Sequence, residues 1–282
     1  MDELERSRVI SIQSRGSQPP IYLVHDLQGQ IDCYRDLTSA LGPDQPVYAL
    51  RSFSSDLQDL QSIEKLATSY LVDLRAFNPK GPYILGGFSF FGGTVAFEMA
   101  RQLEDMGEKT LLVVLIDVWI PGADCKLPLR EQLSILWDKT KEKGAPYLTS
   151  KLRNKSVWWA HRTGHLFLNF VGRICHGLRL EHPSRVRLAL LEKANRRVLW
   201  AYQPRVYRGR VLLAACSRKL EILGKRSSPF LGWDVLVGCQ FEICAIDAEH
   251  MSIMKEPNIR EVAQRIHERL TDLDNIEPAH AN

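Results

Sequence analysis

The residues around Ser89 have the types and order of a nucleophile elbow, a tight turn that joins a strand to a helix. From position 83 the chain reads Tyr-Ile-Leu-Gly-Gly-Phe-Ser-Phe-Phe-Gly-Gly, and a helical pattern follows. Such a turn lifts the serine hydroxyl clear of the backbone, and the helix directs its unpaired N–H groups at the reaction centre. The pattern predicts that Ser89 attacks an ester or thioester carbonyl.

A serine nucleophile needs a base to accept its proton and an acid to orient that base. His250 is the predicted base, because it lies between the last predicted strand and the last predicted helix. Asp117 ends the apolar run at 111–116 and is the predicted acid. The chain order Ser, Asp, His is the one found in α/β-hydrolases. The other acidic candidates are in later loops: Asp234, Asp247 and Glu249.

Two backbone N–H groups must also bind the oxyanion that forms on the carbonyl during attack. Phe90 follows the nucleophile and supplies one predicted donor. The other is expected in the loop after the first predicted strand, at Asp26 or Leu27. His25 opens that loop and is expected to line it. The chemistry requires neither a metal ion nor a bound cofactor, and we predict neither.

Strands and helices alternate through the first 118 residues, and the strands are continuously apolar. Such runs are typical of parallel strands covered on both faces. Active sites in these sheets gather at the carboxyl ends of the strands. We therefore predict an α/β fold with a mostly parallel central sheet and helices on both faces. Strands are predicted at 21–24, 47–50, 83–87, 111–116, 210–216 and 241–246, and helices at 34–41, 62–77, 185–202 and 259–273 as well as after the elbow.

The composition of the chain excludes several classes of protein. Its 282 residues are 45% apolar and 25% charged, typical of a globular protein, and no apolar run reaches the length of a membrane span. The net charge of +4 is too small and too spread to indicate nucleic-acid binding. The six cysteines form no C-x-x-C pair, so we predict mostly buried free thiols and a cytoplasmic location. Residues 1–19 are predicted to be a polar tail or linker before a domain at 20–282.

A segment at about 121–184 interrupts the alternation and is predicted to be a helical insertion. From 121 to 190 the chain has thirteen basic and five acidic residues. This charge fits either a solvated helical face or a landing surface for an acidic partner. Trp137, Trp158 and Trp159 in the segment are candidate pocket residues, although core packing is the commoner role for tryptophan.

Several separated motifs together resemble the type I thioesterase domains that end modular nonribosomal peptide and polyketide synthases. The resemblance extends from about Pro20 to Leu273, and fatty acid synthase thioesterases share much of it. The motifs that carry it are IYLVH at 21–25, YRDL at 34–37, GPYILGGFSF at 81–90, VAFEMA at 95–100, AYQP at 201–204 and Gly232-Trp233.

The resemblance implies an α/β-hydrolase fold with a helical lid at about 121–184. It also implies a catalytic triad of Ser89, Asp117 and His250 in a serine hydrolase that acts on thioesters. An acyl or peptidyl chain would arrive on the phosphopantetheine arm of a carrier protein or domain, transfer to the serine, and leave by hydrolysis or cyclisation. Carrier domains in such systems are acidic, which suits a basic lid.

Two features of this chain differ from the family pattern. The family has one residue between the serine and the glycine pair, whereas Phe90 and Phe91 separate Ser89 from Gly92 here. The insertion is expected to bulge the following helix or rotate it by about 100°, displacing the Phe90 N–H. Asp26 stands where the family usually has proline. The alternatives are a standalone editing thioesterase or small-ester hydrolase and, because of the insertion, a catalytically weak or silent relative that binds only the carrier or the acyl chain.

Overall fold

A computed structural model of the protein describes the chain in five main stretches. These are residues 7–53, 60–120, 184–217, 230–238 and 240–276, together with 125–126, 225–226 and single positions between 130 and 144. None of the described helices is long and apolar enough to cross a membrane. The predicted lid at about 121–184, with Trp158 and Trp159, lies almost wholly outside the described residues and stays a prediction.

A seven-stranded sheet forms the centre of the fold, in the order β1-β3-β2-β4-β5-β7-β9. Strand β1 pairs antiparallel with β3, and every other pairing in this sheet is parallel. A separate antiparallel pair joins β6 to β8. The strands are β1 (Val9–Gln13), β2 (Ile21–Val24), β3 (Val47–Leu50), β4 (Tyr83–Phe88), β5 (Thr110–Ile116), β6 (Cys125–Lys126), β7 (Val211–Cys216), β8 (Lys225–Arg226) and β9 (Phe241–Ile246).

The described helices begin and end close to the predicted positions, because the local signals are strong. The Ser62 side chain caps α2 by accepting the Lys65 N–H at 3.2 Å, and Pro79 follows the end of that helix. The helix after the elbow, α3, ends just before Gly107. The helices are α1 (Arg35–Leu41), α2 (Ile63–Phe77), α3 (Ser89–Asp105), α4 (Ser184–Ala201) and α5 (Asn258–Ile276).

Two apolar cores cover the two faces of the sheet. Alternate side chains of β4 enter different cores, as strand geometry requires: Tyr83 and Leu85 join one core, and Ile84 and Phe88 join the other. Helices α2 and α3 supply most of the helical side chains of the first core, and α1 and α5 those of the second. This three-layer arrangement is the predicted α/β architecture.

Residues 9–13 differ from the prediction that residues 1–19 form a tail or linker. They form β1, which pairs antiparallel with β3 at the edge of the sheet, from Val9 opposite Leu50 to Gln13 opposite Val47. Val9 is buried in the first core. The segment has only five residues and mixes apolar with polar positions, so its pattern was too short to be distinguished from the polar residues around it.

The register of the parallel strands brings their carboxyl ends to one edge of the sheet. Val24 of β2 lies opposite Gly87 of β4, Gly87 lies opposite Leu115 of β5, and Ile116 lies opposite Ala214 of β7. The segments that follow β2, β4, β5 and β9 therefore meet at this edge. They contain every predicted catalytic and oxyanion residue.

A buried ion pair within α3 accepts a hydrogen bond from Tyr202, the residue directly after α4. The Glu98 carboxylate accepts two hydrogen bonds from Arg101, at 2.7 and 2.8 Å, and one from the Tyr202 hydroxyl at 2.7 Å. Burial acts to raise the pKa of Glu98, but these bonds and one from Gln102 outweigh it and hold the pKa below its usual value. The family-like motifs VAFEMA and AYQP thus contact each other directly.

Candidate active site

Ser89, His250 and Asp117 form one hydrogen-bonded series at the carboxyl edge of the sheet. The Ser89 Oγ lies 3.0 Å from the His250 Nε2, and the His250 Nδ1 lies 2.6 Å from the Asp117 Oδ2. Ser89 is the first residue of α3, Asp117 directly follows β5, and His250 lies in the loop after β9. The order of contacts and the distances are those that nucleophile, base and orienting acid require.

The surroundings of Asp117 keep its carboxyl group ionised. The Cys216 N–H donates to the Asp117 Oδ1 at 3.0 Å, and His250 occupies the other oxygen. Burial acts to raise the pKa of Asp117, but the hydrogen bonds from His250 and Cys216 prevail and lower it. A carboxylate only accepts, so the proton of neutral His250 lies on Nδ1 and Nε2 is left to accept the Ser89 proton.

Two aromatic rings hold the His250 imidazole in this orientation. The Phe88 ring stacks on it with the centroids 4.9 Å apart, and the Trp119 ring meets it edge-on at 5.3 Å. Phe88 directly precedes Ser89, and Trp119 lies two residues after Asp117. The segments that carry the serine and the aspartate therefore also pack the histidine.

The backbone of the elbow is strained at Ser89. Ser89 has φ of +61°, in the left-handed region that residues with a side chain rarely adopt. The strand and the helix approach so closely that a Cβ on Gly87 would lie 2.2 Å from the Gly92 carbonyl carbon. The Tyr34 hydroxyl fixes the turn by accepting the Phe88 N–H at 2.9 Å while it donates to the Val24 carbonyl.

The inserted residue does not bulge the helix, contrary to that part of the sequence-based expectation. Helix α3 is continuous from Ser89 to Asp105. Gly92, three residues after the serine, makes the close approach to Gly87. The Phe91 side chain is 1% exposed and stacks on His25 with centroids 5.5 Å apart. The extra ring therefore fills the core under the loop after β2.

The loop after β2 uses nearly all of its own backbone donors. The Asp26 N–H donates to the Gln30 carbonyl, and the Gly29 N–H donates to the Asp26 carbonyl. The Asp26 Oδ1 accepts the N–H groups of Gln28 and Gln30, at 2.9 and 2.8 Å. Among the described residues, no acceptor is bonded to the Leu27 N–H. Of the two predicted loop donors, Leu27 is therefore the one left for an oxyanion.

Two side chains of α4 hold this loop from outside. Asn195 is 2% exposed, and its Nδ2 donates to the Leu27 carbonyl at 2.9 Å. Glu192 accepts a hydrogen bond from the Gln28 side chain at 3.2 Å. The sequence analysis did not single out either residue. The available signal was position: Asn195 is polar on the helix stripe that carries Leu191, Val198, Leu199 and Tyr202.

The remaining candidate residues take no part in the hydrogen-bonded series or lie outside the described part of the chain. Trp137 is 62% exposed, with the Lys141 ammonium 5.5 Å above its ring. The acids that the sequence left open, Asp234, Asp247 and Glu249, are exposed. Cys33, Cys216 and Cys244 are free thiols. Within the described ranges, no group of three or more His, Cys, Asp or Glu side chains could hold a metal ion.

The parallel sheet, the helices on both faces and the strand–elbow–helix at Ser89 define the α/β-hydrolase fold. The chain belongs to the thioesterase domain family, whose model matches residues 19–166. It is 31% identical, over 93% of its length, to the non-reducing polyketide synthase crz7 of Cladonia metacorallifera, and it spans only 13% of that protein.

Solved structures lead to the same family. The chain is similar to the four-domain nonribosomal peptide synthetase holo-AB3403, with a TM-score of 0.66 and 28% identity over 93% of this chain and 20% of that one. The NocB thioesterase domain, in a covalent complex with a fluorophosphonate nocardicin G analog, has the same fold with a TM-score of 0.63 and 22% identity; the alignment covers 94% of this chain and all of that one. The chain is thus a thioesterase domain of the kind found in polyketide and nonribosomal peptide synthases.

Proposed function

We propose that this domain releases an acyl or peptidyl chain from the phosphopantetheine arm of a carrier protein, through an ester on Ser89. The observation that carries the proposal is the continuous hydrogen-bonded series from Ser89 through His250 to Asp117, with distances of 3.0 and 2.6 Å. The family and the relatives among polyketide and nonribosomal peptide synthases support the choice of a thioester substrate.

In the first half-reaction the Ser89 oxygen attacks the thioester carbonyl while His250 Nε2 accepts the serine proton. The tetrahedral oxyanion is stabilised by the N–H groups of Phe90 and Leu27. Its collapse breaks the carbon–sulfur bond, and the departing pantetheine sulfur takes the proton from His250. The acyl group remains as an ester on Ser89.

In the second half-reaction water or a nucleophile within the bound chain attacks the ester. His250 accepts the proton of the attacking group and returns it to the Ser89 oxygen, which leaves as the free hydroxyl. Water gives a free acid, and an internal nucleophile gives a ring. We assign the basic residues between 121 and 190 to the contact with an acidic carrier partner, because opposite charges attract.

The proposal predicts a burst when the domain meets an acyl-pantetheine thioester. We expect about one equivalent of pantetheine thiol to appear faster than steady-state turnover, and mass spectrometry to place the acyl group on Ser89. A thiol reagent follows the burst in a stopped-flow instrument. A domain that gives neither a burst nor an acylated peptide would be the silent relative, and the proposal would be wrong.

A second comparison separates chain release from small-ester hydrolysis. The same acyl group is offered as a methyl ester, as a pantetheine thioester and as a thioester on a carrier protein. We expect kcat/KM to rise in that order, because only the carrier contacts the protein surface beyond the arm. Equal values for the carrier-bound and free pantetheine thioesters would favour the small-ester hydrolase or an enzyme that does not recognise a carrier.

We also propose that Asn195 is a positioning residue for the Leu27 oxyanion donor. Removing the Asn195 amide frees the Leu27 carbonyl, so the loop is no longer held from α4. We expect Asn195→Ala or the near-isosteric Asn195→Leu to lower kcat by about 10- to 100-fold, below the 10²–10³-fold loss of a whole donor, with KM nearly unchanged. The affinity for a boronic acid, which mimics the tetrahedral state when bound to Ser89, should fall by the same factor as kcat.

Lys193→Ala is the matched control, because Lys193 is exposed on the same helix. It should leave kcat and boronate affinity at wild-type values. The melting temperature of each variant shows whether the domain is still folded, so that a fall in kcat can be attributed to the position of the loop. A proportional fall in kcat and folded fraction, or an unchanged boronate affinity in Asn195→Leu, would contradict the role that we assign to Asn195.

A further inference from the structure

Three aromatic side chains form a continuous surface that begins at the candidate base. Phe90 and Trp119 stack nearly parallel, with centroids 5.0 Å apart and an interplanar angle of 13°. Trp200 meets Phe90 edge-on at 5.6 Å, and Trp119 meets His250 edge-on at 5.3 Å. We refer to Phe90, Trp119 and Trp200 as the aromatic wall. It is built from the first turn of α3, the segment after β5 and the last turn of α4.

The aromatic wall is not part of the closed core. Trp200 is 58% exposed, and Phe90 and Trp119 are only partly buried. Phe91 and Trp233, by contrast, are almost fully buried and fill the first core. A large exposed aromatic side chain that continues a stack from the active site is a surface on which a ligand can pack.

The two consecutive phenylalanines after Ser89 face different parts of the structure. Adjacent residues of an α-helix project about 100° apart, so Phe90 and Phe91 point in different directions. Phe91 packs inward on His25, and Phe90 packs on Trp119 and Trp200. The two consecutive phenylalanines thus serve two separate contacts, one under the loop after β2 and one beside the nucleophile.

The wall lies within reach of an acyl group bound to Ser89. Phe90 is the next residue, and Trp119 touches the imidazole whose Nε2 is 3.0 Å from the Ser89 oxygen. Its surface consists of ring faces and edges and carries no charged group. Such a surface stabilises another flat π-system by offset stacking or edge contact, which a saturated chain cannot match.

Building on the proposed function, we infer that the aromatic wall is a subsite for a flat aromatic or conjugated acyl group. The ring system of the acyl-Ser89 ester lies against Phe90 and Trp200, and Trp119 closes the side next to His250. The wall therefore selects for the shape and π-character of the acyl group. The arm that delivers the group and the bond that breaks are the same for all substrates.

A matched pair of thioesters tests this inference: 2-naphthylacetyl-pantetheine and its saturated equivalent, decahydro-2-naphthylacetyl-pantetheine. Both have the same carbon skeleton, and the methylene separates the ring from the reacting carbonyl. Trp200→Leu should lower kcat/KM for the naphthyl substrate by about 3- to 10-fold, the size of one aromatic contact, and leave the saturated substrate within about 2-fold. Trp200→Phe, which keeps a ring, should retain most of the naphthyl activity.

Phe77→Leu is the control, because Phe77 is an exposed aromatic residue at the far end of α2. Phe77→Leu should leave kcat/KM unchanged for both thioesters. Equal losses on the two thioesters in Trp200→Leu, or no loss on either, would overturn the subsite while leaving chain release intact. Failure of both thioesters to acylate Ser89 in the wild-type domain would instead overturn the proposed function, and the subsite with it.

Discussion

Replacement of Ser89 by alanine is expected to reduce thioester turnover by about 10⁵- to 10⁶-fold, the scale seen when a triad nucleophile is removed. Among the described residues, Ser89 has the only hydroxyl bonded to His250, so no other described hydroxyl is placed to replace it in the attack. The measurement is release of pantetheine thiol under saturating substrate. A fluorophosphonate probe should label the wild-type domain at Ser89 and leave Ser89→Ala unlabelled.

The fold should survive this substitution, because alanine removes one hydroxyl and leaves α3 and its glycine contacts in place. Ser217→Ala is the control, since Ser217 also follows a strand at the carboxyl edge but lies outside the hydrogen-bonded series. It should keep full turnover and labelling. Full activity in Ser89→Ala, or a probe attached elsewhere in that variant, would remove Ser89 from the mechanism.

Replacement of Asp117 by asparagine is expected to lower kcat by about 10⁴-fold near neutral pH. The asparagine amide would donate to His250 Nδ1, which moves the imidazole proton to Nε2, so that Nε2 could no longer accept the serine proton. Asp247→Asn is the matched control, because the sequence left Asp247 open as the acid and the structure places it exposed. A larger fall in kcat in Asp247→Asn than in Asp117→Asn would make Asp247 the acid that orients His250.

Stability measured against pH gives an independent check on Asp117. Because its pKa is lowered in the folded protein, the carboxylate contributes stability that is present above the unfolded-state pKa. That contribution is lost as pH falls through the lower folded-state pKa. Asp117→Asn should therefore show a smaller loss of melting temperature on acidification than the wild-type domain. Parallel acid profiles for the two proteins would contradict the environment described for this carboxylate.

The central strands, and the approach of Ser89, Asp117 and His250 to one another, were predictable because each depends on a local signal. The bounds of β2 and β3 agree with the prediction, since strands buried on both faces have no polar side to obscure their ends. Strand β9, at the edge of the sheet, agrees because polar residues directly precede and follow its apolar run. Ser89, Asp117 and His250 were predicted because each follows a strand, and the structure joins them in one hydrogen-bonded series. Their catalytic roles stay a prediction. Topology then brings the ends of separate strands together, so a residue at a strand end needs no further information to be placed near the others.

Contacts between segments distant in the chain were not predictable in the same way. Which backbone N–H of the loop after β2 is left without an acceptor is known only once the hydrogen bonds of the folded loop are known. The effect of the inserted phenylalanine depended on whether a space existed beside His25. The role of Asn195 depended on which loop faces α4. None of these facts follows from residue type or spacing, because each requires the shape of the partner surface.

Helix α4 has a consequence for how this domain evolves or is engineered. This single helix of 18 residues, about 27 Å long, carries Asn195 to the loop after β2 and Trp200 to the aromatic wall, and it leads directly to Tyr202 at Glu98. Because Asn195 and Trp200 lie on the same helix, a tilt of α4 that moves one of them also moves the other. We therefore expect substitutions that reshape the wall by moving α4 to alter the turnover rate as well, so that substrate range and catalytic efficiency trade off against each other unless the change is confined to the Trp200 side chain.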